Sequence, residues 1–216
     1  MSQVKPSYEK PFASLKVLDL SQGFAGPYCA QLLAQYGADV TKVEPPEGDW
    51  ARNLGIVYGD QSTIAMTANR GKKSIALDLK SEGGLAVVKE LARQCDVFIE
   101  GFRPGVCARF GLSYDHVRAV NPGVIYLSIS GFGQEGPYAR EPATDTVLQS
   151  FSGLMSINRG NDEVPHRVGH YIVDCVTALY AYQALSSALY AKRDLAEGRL
   201  IDCSLMQAAA ALQTSK

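Results

Sequence analysis

Three histidines, one tryptophan and five cysteines are few for a chain of 216 residues, and each scarcity excludes something. The cysteines (Cys29, Cys95, Cys107, Cys175, Cys203) are odd in number and scattered. No CxxC occurs and no Cys/His group has zinc-ligand spacing, so the sequence supports neither a disulfide framework nor a metal site. An excess of either charge is also missing: 21 Lys and Arg against 22 Asp and Glu leave a formal net charge of −1, which offers no general surface for nucleic acid. The first residues, MSQVKPSYEKPFASL, lack the apolar core of a signal peptide, and no apolar run reaches spanning length without interruption. The G-x-S-x-G elbow of serine hydrolases is absent as well. These absences together lead us to expect a reduced, cytoplasmic, soluble protein with no membrane partner.

What is present is an ordinary globular composition, 46% hydrophobic and 20% charged, arranged as alternating short β-rich and longer helical runs. LKVLDL (15–20), DVTKVE (39–44), KSIALDL (73–79), DVFIE (96–100) and GVIYLSIS (123–130) read as strands. GPYCAQLLAQYGA (26–38) reads as a helix with proline in its first turn, and SEGGLAVVKELARQ as another with Ser81 as its N-cap. The alternation predicts an α/β, Rossmann-like domain with a mainly parallel sheet. No repeat, low-complexity segment or linker divides residues 1–216.

In such a sheet, ligands bind at the carboxyl ends of the strands. SQGFAGP, EPPEGD, EGFRPG and SGFGQEGP each follow a predicted strand and fall on that edge. Lys42, Arg70, Lys72, Lys73, Arg103 and Arg109 lie near them, which suggests a polyanionic ligand carrying phosphates. For any one of these side chains, solvated surface charge is an equal alternative. GFGQEG (131–136) fits the dinucleotide pattern, but Pro137 and Pro142 prevent a helix from starting at the pyrophosphate position, which argues against a nicotinamide or flavin site. RGKKS (70–74) ends like a Walker loop but lacks the earlier glycine.

RVGHYIVDCVTALYAYQALSSALYAKR (167–193) holds one acid, Asp174, in a run with no other charge from Tyr171 to Leu189. Burying an unpaired carboxylate costs several kcal/mol. Asp174 is therefore a helix cap, a residue on a solvent-facing turn, or a functional group. His170 stands four residues earlier and would pair with it if the stretch were continuously helical, which Pro165 and Gly169 oppose.

KVLDLSQGFAGPYCAQLLAQYGADVTKVEPPEGD, NRGKKSIALDLKSEGG, DVFIEGFRPGVCARFGL, NPGVIYLSISGFGQEGPY, IVDCVTALYAYQALSSALYAKR and EGRLIDCSLMQAA occur in that order. Together they resemble the family III CoA-transferases (the CaiB/BaiF family), from about Leu15 to Ala210. The resemblance implies that Asp174 is the catalytic nucleophile, forming a mixed anhydride and then an aspartyl-CoA thioester. It also implies that the amino end of its helix keeps Asp174 ionised and that N–H groups there bind the oxyanions. It places Ala25 against pantetheine, Lys73 at the nucleotide end of CoA, Arg103 and Arg109 on its phosphates, and Gly131, Gly133 and Gln134 near the thioester. Coenzyme A and acyl-CoA are then substrates, with no tightly bound cofactor; a carboxylate acceptor and an interlocked homodimer are the partners implied.

Two departures narrow the resemblance. Phe24 stands where formyl-CoA transferases carry glutamine, which argues against formate or oxalate. Thr144 stands where the related racemases carry histidine, which argues against racemisation because that reaction needs two opposed acid–base groups. The family's smaller second domain is expected to be absent from this chain, with its apolar final helix SLMQAAAALQ left poorly covered. A methylacyl-CoA racemase and a non-catalytic CoA-binding remnant are the alternatives.

Overall fold

The structure, a computed structural model, describes residues 10–214. In chain order it runs β1 (Lys16–Asp19), α1 (Ala25–Gln35), β2 (Asp39–Glu44), a 3-10 turn (Trp50–Asn53), a two-residue hairpin of β3 (Val57–Tyr58) and β4 (Gln61–Ser62), and α2 (Thr63–Asn69). Then follow β5 (Lys73–Ala76), α3 (Glu82–Gln94), β6 (Val97–Glu100), α4 (Val106–Arg109), α5 (Tyr114–Val120) and β7 (Ile125–Ser130). The last part holds α6 (Asp145–Phe151), α7 (Leu154–Ile157), α8 (Ile172–Lys192), β8 (Arg199–Ser204) and α9 (Leu205–Ala211).

Six strands form one sheet in the order β5-β2-β1-β6-β7-β8, every pair parallel. The parallel sheet agrees with the α/β, Rossmann-like domain read from the alternation, and its order is doubly wound, with the direction of winding reversing between β1 and β6. Strand side chains alternate between two cores. Val17, Val97, Ile99, Ile125, Leu127 and Ile129 meet α1, α8 and α9 on one face. Leu18, Val43, Phe98, Val124 and Tyr126 meet α3 and α5 on the other, so both faces are covered and the strands read as continuous apolar runs. Phe98 and Tyr126 stack at 4.8 Å across β6 and β7.

Local sequence accounts for the boundaries. Ser81 caps α3 by accepting from the Gly84 N–H at 3.0 Å, as its position predicts. α1 stops at Gln35, three residues short of the helix read from the sequence, because Gly37 turns the chain at φ +101°. Between β7 and β8 the first helix begins only at Asp145, after the prolines that disqualified the dinucleotide pattern.

α8 is long and apolar enough to cross a membrane by length and composition. Here Val173, Thr177, Ala181, Leu185 and Ala188 lie buried along one side of it, and it packs on α1. α9, expected to be poorly covered, buries Leu205, Ala208 and Ala209. A capping box holds its start, Ser204 accepting from the Gln207 N–H and Gln207 accepting from the Ser204 N–H.

Candidate active site

A cavity of about 690 Å³ opens at the carboxyl edge of the sheet, over the β1/β6 reversal. Its walls come from the β1–α1 loop with the start of α1, the β6–α4 loop, the end of β7, the segment 139–146 and the first turn of α8. Asp174 stands in this wall.

Two buried lysines explain how the β1–α1 loop keeps its shape. Lys42 Nζ donates to the Ser21 carbonyl at 2.7 Å and pairs with Asp49 at 2.9 Å. Lys72 Nζ donates to Asp19, to the Pro27 carbonyl and to Asn69, all at 2.8–2.9 Å. Asp19 also accepts from the Ser21 hydroxyl and N–H. Burial is the strongest influence on its carboxyl and acts to raise it, but Lys72 and Lys42 together outweigh that and hold it low. Burial likewise lowers Lys72 to about 8 despite Asp19. Asp49 reaches forward to accept from the Gly23 N–H at 3.0 Å, and Gly23 has φ +83° with Trp50 packed where a Cβ would stand. Glycine is needed at that turn. The sequence reading of Lys42 and Lys72 as phosphate contacts is thereby corrected: both ammonium groups are committed to buried partners.

Lys73 is exposed and stands apart from these two. It begins β5 at the amino edge of the sheet, and its ammonium pairs with Asp39 at 2.8 Å, on the side away from the cavity. The two neighbours point oppositely, Lys72 into the protein just ahead of β5 and Lys73 out to solvent at its first residue. The other candidates divide. Ala25, Arg103 and Gly131 line the cavity with Asp174. Gly131 lies so close to Ala143 that a side chain there would overlap it. Arg109, in the last turn of α4, is exposed and outside the cavity wall. Gly133 turns the chain at φ +95° and donates to Ser130 at 3.0 Å. Gln134 donates to Ser128 at 2.8 Å, beside the buried Glu100, and is not in the wall. His170 lies ahead of α8 and its ring faces Cys175 Sγ at 3.3 Å, so the His170–Asp174 pair does not form.

Asp174 is the third residue of α8 and not its cap. The cap comes from α6. Asp145 Oδ2 accepts the Val173 N–H at 2.8 Å and the Asp174 N–H at 3.1 Å. The Ile172 N–H goes to the His170 carbonyl and the Cys175 N–H to the Tyr171 carbonyl. The first N–H groups of α8 are therefore occupied, which corrects the expectation that they bind oxyanions. The expectation that the helix end keeps Asp174 ionised is corrected too: burial, then the charge of Asp145, push its carboxyl up to about 7. Among the described residues no side chain or N–H donates to that carboxylate. It is partly exposed, and the cavity is where it meets solvent. By contrast α1, with Ala25 at its start in the cavity wall, has no side chain capping its first turn.

A part-buried acid with a perturbed carboxyl, facing a cavity beside a loop clamped by lysines, marks a candidate active site. Among the described residues no group of three His, Cys, Asp or Glu is placed to hold a metal ion. The sequence profile of CoA-transferase family III matches residues 12–216. The chain belongs to this family. The acetyl-CoA:oxalate CoA-transferase of Acetobacter aceti is 42% identical over 208 residues, covering 95% of this chain and 54% of that protein. The human succinyl-CoA:glutarate CoA-transferase is 41% identical over 199 residues, 91% of this chain and 45% of that protein. The family III chain thus spans about half the length of the curated relatives it matches. A CaiB/BaiF family protein from Brucella suis superposes with a TM-score of 0.89 at 37% identity, over 95% of this chain and 56% of that one. Rv3272 from Mycobacterium tuberculosis, solved as a variant with one aspartate replaced by alanine, gives 0.86 at 31%, over 95% and 56%.

The Asp145 cap escaped the sequence reading. Its only trace is an acid four residues before Gln149 in PATDTVLQ, and its hydrogen-bond partners lie 28 and 29 residues downstream.

Proposed function

We propose that the protein moves coenzyme A from an acyl-CoA to a carboxylic acid, with Asp174 as the nucleophile. An Asp174 oxygen attacks the thioester carbonyl carbon, the C–S bond breaks, and CoA leaves as the thiolate with the electron pair, giving a mixed anhydride. The thiolate attacks the aspartyl carbonyl and releases the donor carboxylate, leaving an aspartyl-CoA thioester. The acceptor carboxylate attacks that thioester and frees the thiolate. The thiolate then takes the new acyl group and restores Asp174.

The observation that carries this reading is an unpaired carboxylate, pushed up to about 7, in the wall of a cavity of about 690 Å³. A carboxylate that holds a proton more tightly is also the better nucleophile, and above neutral pH it is ionised. The clamped β1–α1 loop supplies a fixed wall for the pantetheine arm. Arg103, in the cavity wall, and Arg109, exposed beyond it, remain the cations proposed for the phosphates. Thr144, at the position that would need a histidine for racemisation, is occupied in capping α6 through the Val147 N–H at 3.5 Å.

The relatives named for transfer to oxalate and between succinyl-CoA and glutarate make small dicarboxylates the acceptor class to test first. Oxalate belongs among them, because a relative at 42% identity is named for it and Phe24 alone does not exclude it. The test is Asp174→Ala in the intact natural protein. Turnover with an acyl-CoA and a labelled dicarboxylate should fall at least about a thousandfold, with CoA affinity changed less than about threefold. Wild-type turnover by Asp174→Ala overturns the assignment.

A further inference from the structure

Asp145 is only 3% exposed, and it is a costly choice for a helix cap. Ser, Thr or Asn would accept the same N–H groups without a buried charge. Its second oxygen, Oδ1, accepts from Gln149 Nε2 at 2.5 Å. Gln149, fully buried one helical turn further along α6, straps the segment that leads into α8. Its Oε1 accepts the Val168 N–H at 2.8 Å, and its Nε2 also lies 3.2 Å from the His170 carbonyl. α6 thus grips the chain from Val168 to Asp174 through two side chains. Among the described residues Asp145 forms no ion pair, so its charge is left facing Asp174.

We propose that Asp145 is a positioning residue for the transfer reaction: its grip on the first turn of α8 aims the Asp174 carboxylate into the cavity, and its charge strengthens that carboxylate as a nucleophile. This rests on the transfer reading above. A like charge at the same turn disfavours the ionisation of Asp174. Burial first, and the Asp145 charge second, act on Asp174 in that sense. The other titratable or charged groups around Asp174 are Arg103 and Glu141 in the cavity wall, Cys175 beside it on α8, and His170 and Tyr171 just before the helix. None of them donates to its carboxylate among the described residues. In the attack the bond forms from Asp174 to the thioester carbon and the C–S electron pair leaves on sulfur. Asp145 makes and breaks no covalent bond.

Asp145→Asn in the intact natural protein removes the charge and keeps an oxygen for the two N–H groups but sets its amide N–H2 against Gln149 Nε2, so Gln149→Ala, which loses that contact and keeps the charge, is its control. Wild-type kcat should rise with pH through a limb near 7. In Asp145→Asn the limb should move down by about one unit, and kcat at pH 8 should fall about threefold, as a Brønsted slope of about 0.5 gives for one unit. KM for the acyl-CoA should stay within about twofold. A limb within about 0.2 unit of wild type, in a folded variant, overturns the proposal. If Asp174→Ala keeps turnover, the transfer reading fails and takes this one with it. If Asp174 is essential but the limb does not move, only the role of Asp145 fails. Should the variant not fold, Asp145→Ser, which keeps an acceptor at the start of α8 without the charge, takes its place: a carbon-13 NMR midpoint of Asp174 lower than in wild type supports the proposal, and an unchanged midpoint overturns it.

Discussion

At the residue scale, three influences act on Asp174, and their sizes decide the outcome. The amino end of a helix favours a carboxylate by about 0.3–1 kcal/mol, whereas burying one costs several kcal/mol. Asp145 also occupies two of the N–H groups through which that favourable field acts. Burial and like charge therefore win, and the carboxyl sits near 7. Because this lies above the ordinary carboxylate range, the folded protein holds a proton that the unfolded chain has lost between about pH 4 and 7. Stability contributed by this group is present at low pH and lost as pH rises through 7. Asp174→Asn should then be more stable than wild type at pH 8 by roughly 1–3 kcal/mol, allowing for its solvent contact, with the difference gone by about pH 4. Denaturant unfolding at the two pH values measures this, and equal stability at pH 8 contradicts it. Asp174 was legible because a lone acid in an apolar run is anomalous within the run itself. Asp145 was not, because a cap supplied by another helix leaves no local spacing to read.

At the element scale, the buried strands and the edge strand β5 were legible, and the other edge strand, β8, was not. β6 and β7 are buried at every position and read as apolar runs. β8, an edge strand of six residues with Arg199, Leu200 and Asp202 exposed, is too short and too interrupted by charge to stand out as an apolar run. The basic cluster was legible as a cluster, but its purpose was misassigned. Sequence gives the sign of a side chain and not its partner, and Lys42 and Lys72 look the same whether they hold a phosphate or a loop. The clamp makes a prediction of its own. Lys72→Met leaves Asp19, which has no exposure, with Lys42 as its remaining neighbouring cation. It should cost about 3–5 kcal/mol, the range for breaking one side of a buried pair. Urea unfolding checks this, and a loss below about 0.5 kcal/mol would show that Lys42 alone suffices.

At the scale of the whole molecule, the strand order is that of dinucleotide-binding proteins and the cavity stands at the same reversal point. The chemistry differs because the loops differ: the turn after β1 is shaped by buried lysines and Trp50, and the acid comes from a helix in the long β7–β8 crossover. A sheet fixes where ligands meet the chain, and the loops fix what happens there. The measurement that tests the central claim most directly is intact-mass spectrometry of the natural protein after brief incubation with an acyl-CoA and no acceptor, followed by peptide mapping. One adduct with the mass of CoA less water is expected, carried by the peptide that contains Asp174 and absent from Asp174→Ala. An adduct on another residue, or transfer at full rate with Asp174 never modified, would contradict it.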